Sequence, residues 1–528
     1  MRTVWLSTLC ALVVTGQLVA SELEMLPIGD PERALAVASA PAGGFYDCRQ
    51  GREASLAEVA ASLARARVIL LGEEHTSMDQ KLVLAQLVEA LAGQVPKLIL
   101  GMEFFQRSDA ETLAKWGRGE LAGDEFLLAV KWYDRGGYRY EYYAPMMEMA
   151  QRHHLGVVGL NVPREVTSAV RMGGLEALSE EQKTEVGPVE TGGSPEHRYL
   201  ISRYFGDTVG QMPGAWLENM YAAQCVWDVV MARSILDNLD DDATMVVVVG
   251  AGHVAYDLGI ARRIREEREA RGLPPLAVAT YCPVVAPAVS SDEEPSGHPM
   301  GDAKMTPQSR ALFSRGLADF VGAFPDAGGV ETFPRLGVKI EESDDVPTIR
   351  MVWPDTVAED AGFTAGDKIV DVNGQGAGDL PHLRLVLARL EWGQRVDLRV
   401  RRGEETRDVA ALLYPEVHDT ETTTAPGWEV RTVDPGEPQP GAPVTAAEGS
   451  SVVERRLLLL QGGVPQRVEV WSGESVVEVH ELDPQAHVSR SLFRSPRPDG
   501  TVEVRYHRGE AGEVTGVERL DRTGKVLD

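Results

Sequence analysis

The chain has 528 residues, about three times the ~150-residue span of a single domain, so several domains are expected. Hydrophobic residues make up 43% and charged residues 25%, which excludes a wholly disordered or multispanning membrane chain. Lysine plus arginine total 52 against 80 aspartate plus glutamate, and the resulting formal charge of -28 repels phosphate backbones and anionic lipid surfaces, excluding nucleic-acid binding as the main role.

In chain order, Arg2 gives a positive start, Val4 to Val14 is an apolar run too short to span a membrane, and Val19-Ala20-Ser21 offers small residues for cleavage before Glu22. Residues 1–21 therefore read as a secretory signal, and the mature protein as exported, periplasmic or extracellular, with no transmembrane span left after cleavage. Cys10 follows Ser7-Thr8-Leu9, which does not match the small residues that precede a lipidated cysteine. Its loss leaves Cys48, Cys225 and Cys282, an odd number; a Cys48 to Cys282 bridge and a set of unpaired thiols both stand open.

From Leu56 onward, short apolar runs alternate with amphipathic stretches. Arg67 to Gly72, Lys97 to Gly101, Gly156 to Leu160, Thr244 to Gly250 and Leu276 to Tyr281 read as buried parallel strands. Asp79 to Leu91, Ala110 to Lys115, Ala144 to His153 and Glu218 to Leu239 carry helical periodicity, and the whole is an α/β domain over residues 45–325. Trp132 to Arg171 and Ser179 to Pro195 break the alternation and suggest a helical insertion at the sheet's edge. A flexible loop is expected over 283–308, with Leu317 to Phe324 returning as an edge element.

A different composition begins at Pro334. Leu336-Gly337-Val338 opens a strand; VAEDAGFTAGD runs from Val357 to Asp367, IVDVNG from Ile369 to Gly374, a helix from Leu380 to Leu390, and a final strand from Arg395 to Val400. These pieces, A-x-x-A-G-x-x-x-G-D-x-I followed by V-N-G, resemble a bacterial PDZ domain of the kind attached to exported proteases, placed at 332–414. The resemblance implies that an extended peptide or protein C-terminus adds to the sheet, its carboxylate held by the amides of Leu336, Gly337 and Val338. A PDZ fold serving only as a spacer is the alternative. Residues 415–450 read as a linker and 451–528 as a small antiparallel β module, with no catalytic constellation in it.

Functional groups of a parallel sheet gather beyond the carboxyl ends of its strands. There the chain places Gly72-Glu73-Glu74-His75, Met102-Glu103, Asn161 with Arg164, and Gly252-His253, while Gln224 and Asp228 share one helix face. Two carboxylates, two imidazoles and supporting polar groups form a metal or acid/base site. Other readings attach to the same residues. Glu73 and Glu103 could be ion-pair partners of Arg164, and His253 a cap on a Val254 to Arg263 helix. Glu74 reads as solvated, His153 and His154 as surface residues, and Tyr142, Tyr143, Met146, Met147 and Met149 as core more readily than as haem ligands. Phosphate loops, Cys-x-x-Cys and G-x-S-x-G elbows are absent from the sequence.

The G-E-x-H stretch at Gly72 to His75, M-E-x-F at Met102 to Phe105, Asn161-Val162-Pro163-Arg164, A-Q-x-x-W-D-x-x-M-A from Ala223 to Ala232, and the G-x-G-H element ending at His253 together resemble the ChaN-like haem-binding family. Its superfamily includes the erythromycin esterases and the Tiki and TraB proteins. The resemblance implies that Glu73, His75, Glu103 and His253 are the functional Glu and His positions, with Asn161, Arg164, Gln224 and Asp228 of its motifs around the cofactor; Tyr143, by its phenol, is expected there as well. It implies haem or a divalent or transition metal as cofactor, and a role in iron uptake. In the esterase branch such residues activate water, and Tiki-type members are described as metal-dependent peptidases, so a hydrolase is the alternative activity. A non-catalytic envelope interaction protein is the third reading. The chain departs from the pattern at Asp79-Gln80, where ChaN-like sequences often carry a further histidine.

Overall fold

The computed structural model describes residues 23–135, 138–204, 214–286 and 310–325 of one compact unit (1–326) and, with interruptions, 336–527 of a second (327–528). The expected signal over 1–21 lies outside the described residues, as do 287–308 of the expected loop. No helix among the described residues is long and apolar enough to cross a membrane.

The first unit is built on an eight-stranded sheet. Its strands are β2 (Phe45–Asp47), β3 (Arg52–Ala54), β4 (Val68–Glu73), β5 (Leu98–Gln106), β6 (Gly156–Asn161), β7 (Thr244–Gly250), β8 (Val278–Ala286) and β10 (Phe320–Pro325), in the order β3-β2-β10-β8-β4-β7-β5-β6. β1 (Val37–Pro41) and β9 (Arg310–Ser314) form a separate antiparallel pair. From β10 to β6 every pairing is parallel. VILLGE and TMVVVVG, the sequences of β4 and β7, are buried at every position, as strands covered on both faces must be. Ser55 and Glu58 form a capping box on the Leu56–Leu63 helix, and Ser77 caps the Met78–Ala92 helix that leaves the end of β4.

Several expectations change here. Phe320–Pro325 is not at an edge: it lies between β2 and β8, because the chain entering at Phe45 extends the sheet beyond it. Pro283 to Ala286, expected in the loop, continues β8, where paired with β10 it spends its polar backbone groups on the ladder. Val254 to Arg263 is not one helix; short 3₁₀ turns at Ala251–His253 and Ala255–Asp257 precede a helix over Ile260–Ala270. Cys48, Cys225 and Cys282 are free and buried. Cys48 follows β2 while Cys282 lies on β8, with β10 between them, so their backbones are about two strand spacings, roughly 10 Å, apart and beyond disulfide reach.

In the second unit, β11 (Val338–Ser343), β12 (Val346–Val352), β13 (Lys368–Val372), β15 (Arg395–Arg402) and β16 (Glu405–Leu412) pair in that order, with β14 (Gln375–Gly376) on β13. The expected last strand is thus followed by another, β16, which completes the ladder of β15. Among the described residues β11 pairs with β12 alone, which leaves its other edge open. The Leu380–Leu387 helix contributes Leu383 to a core with Leu336, Ile349, Ile369, Leu398 and Val400. A nine-stranded antiparallel sheet follows, and its first two strands, Val417–Thr422 and Trp428–Val433, fall where a linker was expected. Their alternation of β-branched and charged residues is strand-forming in spite of the Thr- and Pro-rich surroundings.

Candidate functional site

The register Glu73↔Gly250 sets the end of β4 beside the end of β7, and β5 pairs with β7 as far as Met102↔Val248, which carries Glu103 to the same rim. The carboxyl ends of β4, β7 and β5 therefore bring Glu73, His75, Glu103 and His253 into one crevice.

Glu73 is buried, and each of its oxygens is engaged. Oε1 accepts from His75 Nδ1 at 2.6 Å and from the Tyr143 hydroxyl at 3.4 Å. Oε2 accepts from the ammonium of Lys81, which is 1% exposed and also donates to the Glu74 carbonyl. Burial alone would raise the Glu73 pKa, but His75 and Lys81 hold it down at about 2. Burial likewise draws the Lys81 pKa down against the pull of Glu73, so the carboxylate, with two cationic partners, is the better anchored charge. For His75 burial acts to lower the pKa; the Glu73 carboxylate, with Glu103 behind it, outweighs this and lifts it to about 9. With Nδ1 committed to Glu73, the His75 Nε2 has no hydrogen-bond partner among the described residues, and its side chain keeps 30% of its surface open. Phe104 and Tyr138 wall the ring at centroid distances of 5.2 and 4.7 Å.

Gly250 joins the two halves of the site. Its N–H donates to Glu103 Oε2 at 2.8 Å, and a Cβ there would stand 2.9 Å from His75 Cε1 and 3.6 Å from Glu103 Oε2. Only glycine admits the imidazole and the carboxylate this close to the strand end. Across the crevice, His253 sets Nε2 3.6 Å from Glu103 Oε1 and Nδ1 2.6 Å from Asp228 Oδ1, with the Gln224 amide 2.9 Å from the same Nδ1. The i, i+4 spacing of Gln224 and Asp228 on the Gly214–Asn238 helix puts both on His253. Burial would lower the His253 pKa, but Glu103 and Asp228 raise it.

The remaining expected residues divide. Asn161 supports the rim, its Nδ2 donating to the Glu103 carbonyl at 3.4 Å. Arg164 is exposed on the first turn of its helix, and among the described residues no ion pair links it to Glu73 or Glu103; the partner of Glu73 is Lys81. Tyr143 is buried with its hydroxyl on Glu73, and burial pushes its pKa well above the usual value. Tyr142, Met146, Met147 and Met149 are core. His153 is on the surface near Glu89. Sequence reading passed over Lys81, Phe104, Tyr138 and His197. It also missed Tyr204, whose Cζ and hydroxyl would lie 3.4 Å from a Cβ at Gly252, the residue before His253. A lone glutamate closing a wholly apolar strand calls for a buried cation, and Lys81 one helical turn into the next element answers it.

The expected bare-metal set of His75, His253, Glu73 and Glu103 does not fit an ion. Glu73 is saturated by an imidazole and an ammonium, one Glu103 oxygen is held by a backbone N–H, and no group of three His, Cys, Asp or Glu suited to a metal occurs among the described residues.

Residues 59–264 match the family model described as haem-binding uptake, Tiki superfamily, ChaN, and residues 334–413 match the PDZ domain model. None of the curated proteins compared with the chain matches it. Among solved structures, ChaN of Campylobacter jejuni with cofacial haem is similar at 15% identity and a TM-score of 0.38, over 51% of this chain and 96% of that one. The HtrA-type protease AlgW with a decapeptide is similar at 23% identity and a TM-score of 0.15, over 16% of this chain, which thus spans only 30% of the protease. The HtrA3 PDZ domain bound to a phage-derived ligand is similar at 21% identity and a TM-score of 0.14, over 15% of this chain and 83% of that one. The chain thus carries a ChaN-like haem-binding domain, matched over residues 59–264, and a PDZ domain, matched over residues 334–413.

Proposed function

We propose that the protein is exported, that its first unit binds haem at the crevice between the ends of β4, β7 and β5, and that its PDZ domain binds an extended peptide or protein C-terminus. The observation that carries the haem reading is His75: Glu73 takes Nδ1 and orients the ring, leaving Nε2 as an unpaired donor at an opening walled by aromatic side chains. A carboxylate behind a ligating imidazole is the usual means of fixing its tautomer and raising its basicity. The residues present fit the group: Nε2 would hold iron, and Phe104 and Tyr138 would flank an apolar macrocycle. Tyr143, expected among the cofactor residues, is committed to Glu73 and serves as its third donor, after His75 and Lys81. When bound, haem supplies an iron centre with redox and ligand-exchange chemistry; the chain holds it, excludes water and keeps a proton on His75 Nδ1.

Titration of the full chain with haemin, followed by absorbance, tests this reading. A saturable Soret shift in the native protein that is lost in His75→Ala supports it; equal binding by the two proteins sinks it. The peptide reading rests on the open edge of β11 beside the Leu380–Leu387 helix, and on Gly337, whose φ of 77° turns the chain into that strand. Titration with C-terminal peptides and their amidated forms decides it, since carboxylate capture requires the acid to bind more tightly. An acid/base hydrolase remains the second reading, favoured by the line of Asp228, His253 and Glu103.

A further inference from the structure

Behind His253 lies a second imidazole that none of the roles above uses. His197, on the Pro195–Tyr204 helix, is fully buried, and its Nε2 lies 3.3 Å from Asp228 Oδ2. The approach is not in line for a hydrogen bond, and among the described residues neither atom has a hydrogen-bond partner, so a buried N–H and a buried carboxylate oxygen face each other as the best partner either has. On its other side, His197 Nδ1 faces the Tyr221 hydroxyl at 3.3 Å and Arg262 Nη2 at 3.4 Å. A guanidinium only donates, so Nδ1 is the accepting nitrogen and the ring proton sits on Nε2, toward Asp228. Asp228 Oδ1, which only accepts, takes the proton of His253 Nδ1 at 2.6 Å; Gln224 stands with its Nε2 2.9 Å from the same nitrogen, and an amide can turn over where a carboxylate cannot change its role. Two buried imidazoles thus share one carboxylate, an oxygen each. Burial would raise the Asp228 pKa, but His253 and His197 hold it at about 2.

We propose that His197 is a positioning residue: through Asp228 it holds His253 with its proton on Nδ1, and leaves Nε2, beside Glu103, as the atom that gives or takes a proton in the crevice. The assignment concerns the proton-handling side of the crevice and holds whether the ligand is haem or a hydrolysable substrate, so it stands or falls apart from the function proposed above.

The test is ¹⁵N nuclear magnetic resonance of the full chain with labelled histidine, the two rings being assigned through His197→Gln and His253→Asn. The expected result in the native protein is a His197 ring protonated on Nε2 and a His253 Nδ1–H that exchanges slowly with water. His197→Gln, whose amide can still face Asp228 with an N–H, should keep that slow proton; His197→Phe should speed its exchange roughly tenfold or more, as loss of the buried N–H that faces its acceptor implies. A His197 proton found on Nδ1 in the native protein, or a His253 Nδ1–H with unchanged exchange in His197→Phe, would overturn the proposal. Should His197→Phe fail to fold, the native tautomer of His197 decides alone.

Discussion

Replacing Lys81 by methionine keeps the length of a buried side chain and removes its charge, which isolates the ion pair under the crevice. Lys81 and Glu73 are each 1% exposed, so water cannot take over the ammonium's role when it is removed. Losing one member of such a pair costs ~3–5 kcal/mol when the other charge is left alone. Here His75 still faces Oε1, and the fall of the Glu73 pKa from 4.5 to about 2 corresponds to about 3 kcal/mol shared between both partners. Lys81→Met should therefore destabilise the first unit by about 2–3 kcal/mol, or roughly 3–5 °C of thermal midpoint for a domain of this size. Far-UV circular dichroism of the full chain reads this directly, because the long helices lie in the first unit. The same substitution in a Glu73→Gln background should cost less than ~1 kcal/mol, since no buried charge is then stranded. An equal cost in both backgrounds would refute the ion-pair account and make Lys81 a packing residue.

The other predictions follow from neighbouring contacts. Gly250→Ala should weaken haem binding at least as much as Glu73→Gln, because the added methyl meets the His75 ring at 2.9 Å; Gly252→Ala, whose methyl meets only Tyr204 at 3.4 Å, should leave His75 in place, and equal haemin affinities for all three variants would contradict this. His75 has a folded pKa lifted to about 9, so its contribution to stability is full below the unfolded value of 6.5 and disappears as pH rises through 9; denaturant midpoints should decline across that window in the native protein and stay level in His75→Gln. Glu73 works in the opposite sense, contributing above pH 4.5 and losing its contribution as pH falls toward 2, and acid titration of Glu73→Gln should show a shallower loss. Gly337→Ala should abolish peptide binding by the PDZ domain, because a Cβ at φ 77° would lie 2.2 Å from the Thr356 Cβ; calorimetry showing native affinity would remove Gly337 from the groove entrance.

What the sequence disclosed was set by how local each cue was. VILLG from Val68 and MVVVVG from Met245 are apolar at every position and admit one reading, a strand covered on both faces, so the crevice could be placed at their ends. The short strands Phe45–Asp47 and Arg52–Ala54 carry no such run and exist only because Phe320–Pro325 offers an edge to pair with. Glu73 and His75 were legible because they follow a strand; Lys81 was not, since one lysine among the polar positions of a helix looks the same whether it faces water or a buried acid. His197 was hidden for a related reason: its partner Asp228 is on another helix, and their meeting depends on tertiary packing alone. Arg164 failed in the reverse direction, a charged residue in a suggestive motif that the fold leaves in solvent.

The position of β7 also bears on how the protein is made. β4 and β5 are close in sequence, yet they flank a strand that pairs Val68 with Met245, so the slot between them stays empty until most of the first unit has left the ribosome. Contacts of such long sequence separation form late and slowly. Until β7 enters, Glu103 lacks the Gly250 amide, His75 lacks its rim and His253 is absent, so an incomplete chain has no crevice with which to capture a ligand. Loading of the site then has to follow the folding of residue 253 into place, which ties ligand acquisition to the end of domain folding and not to its beginning.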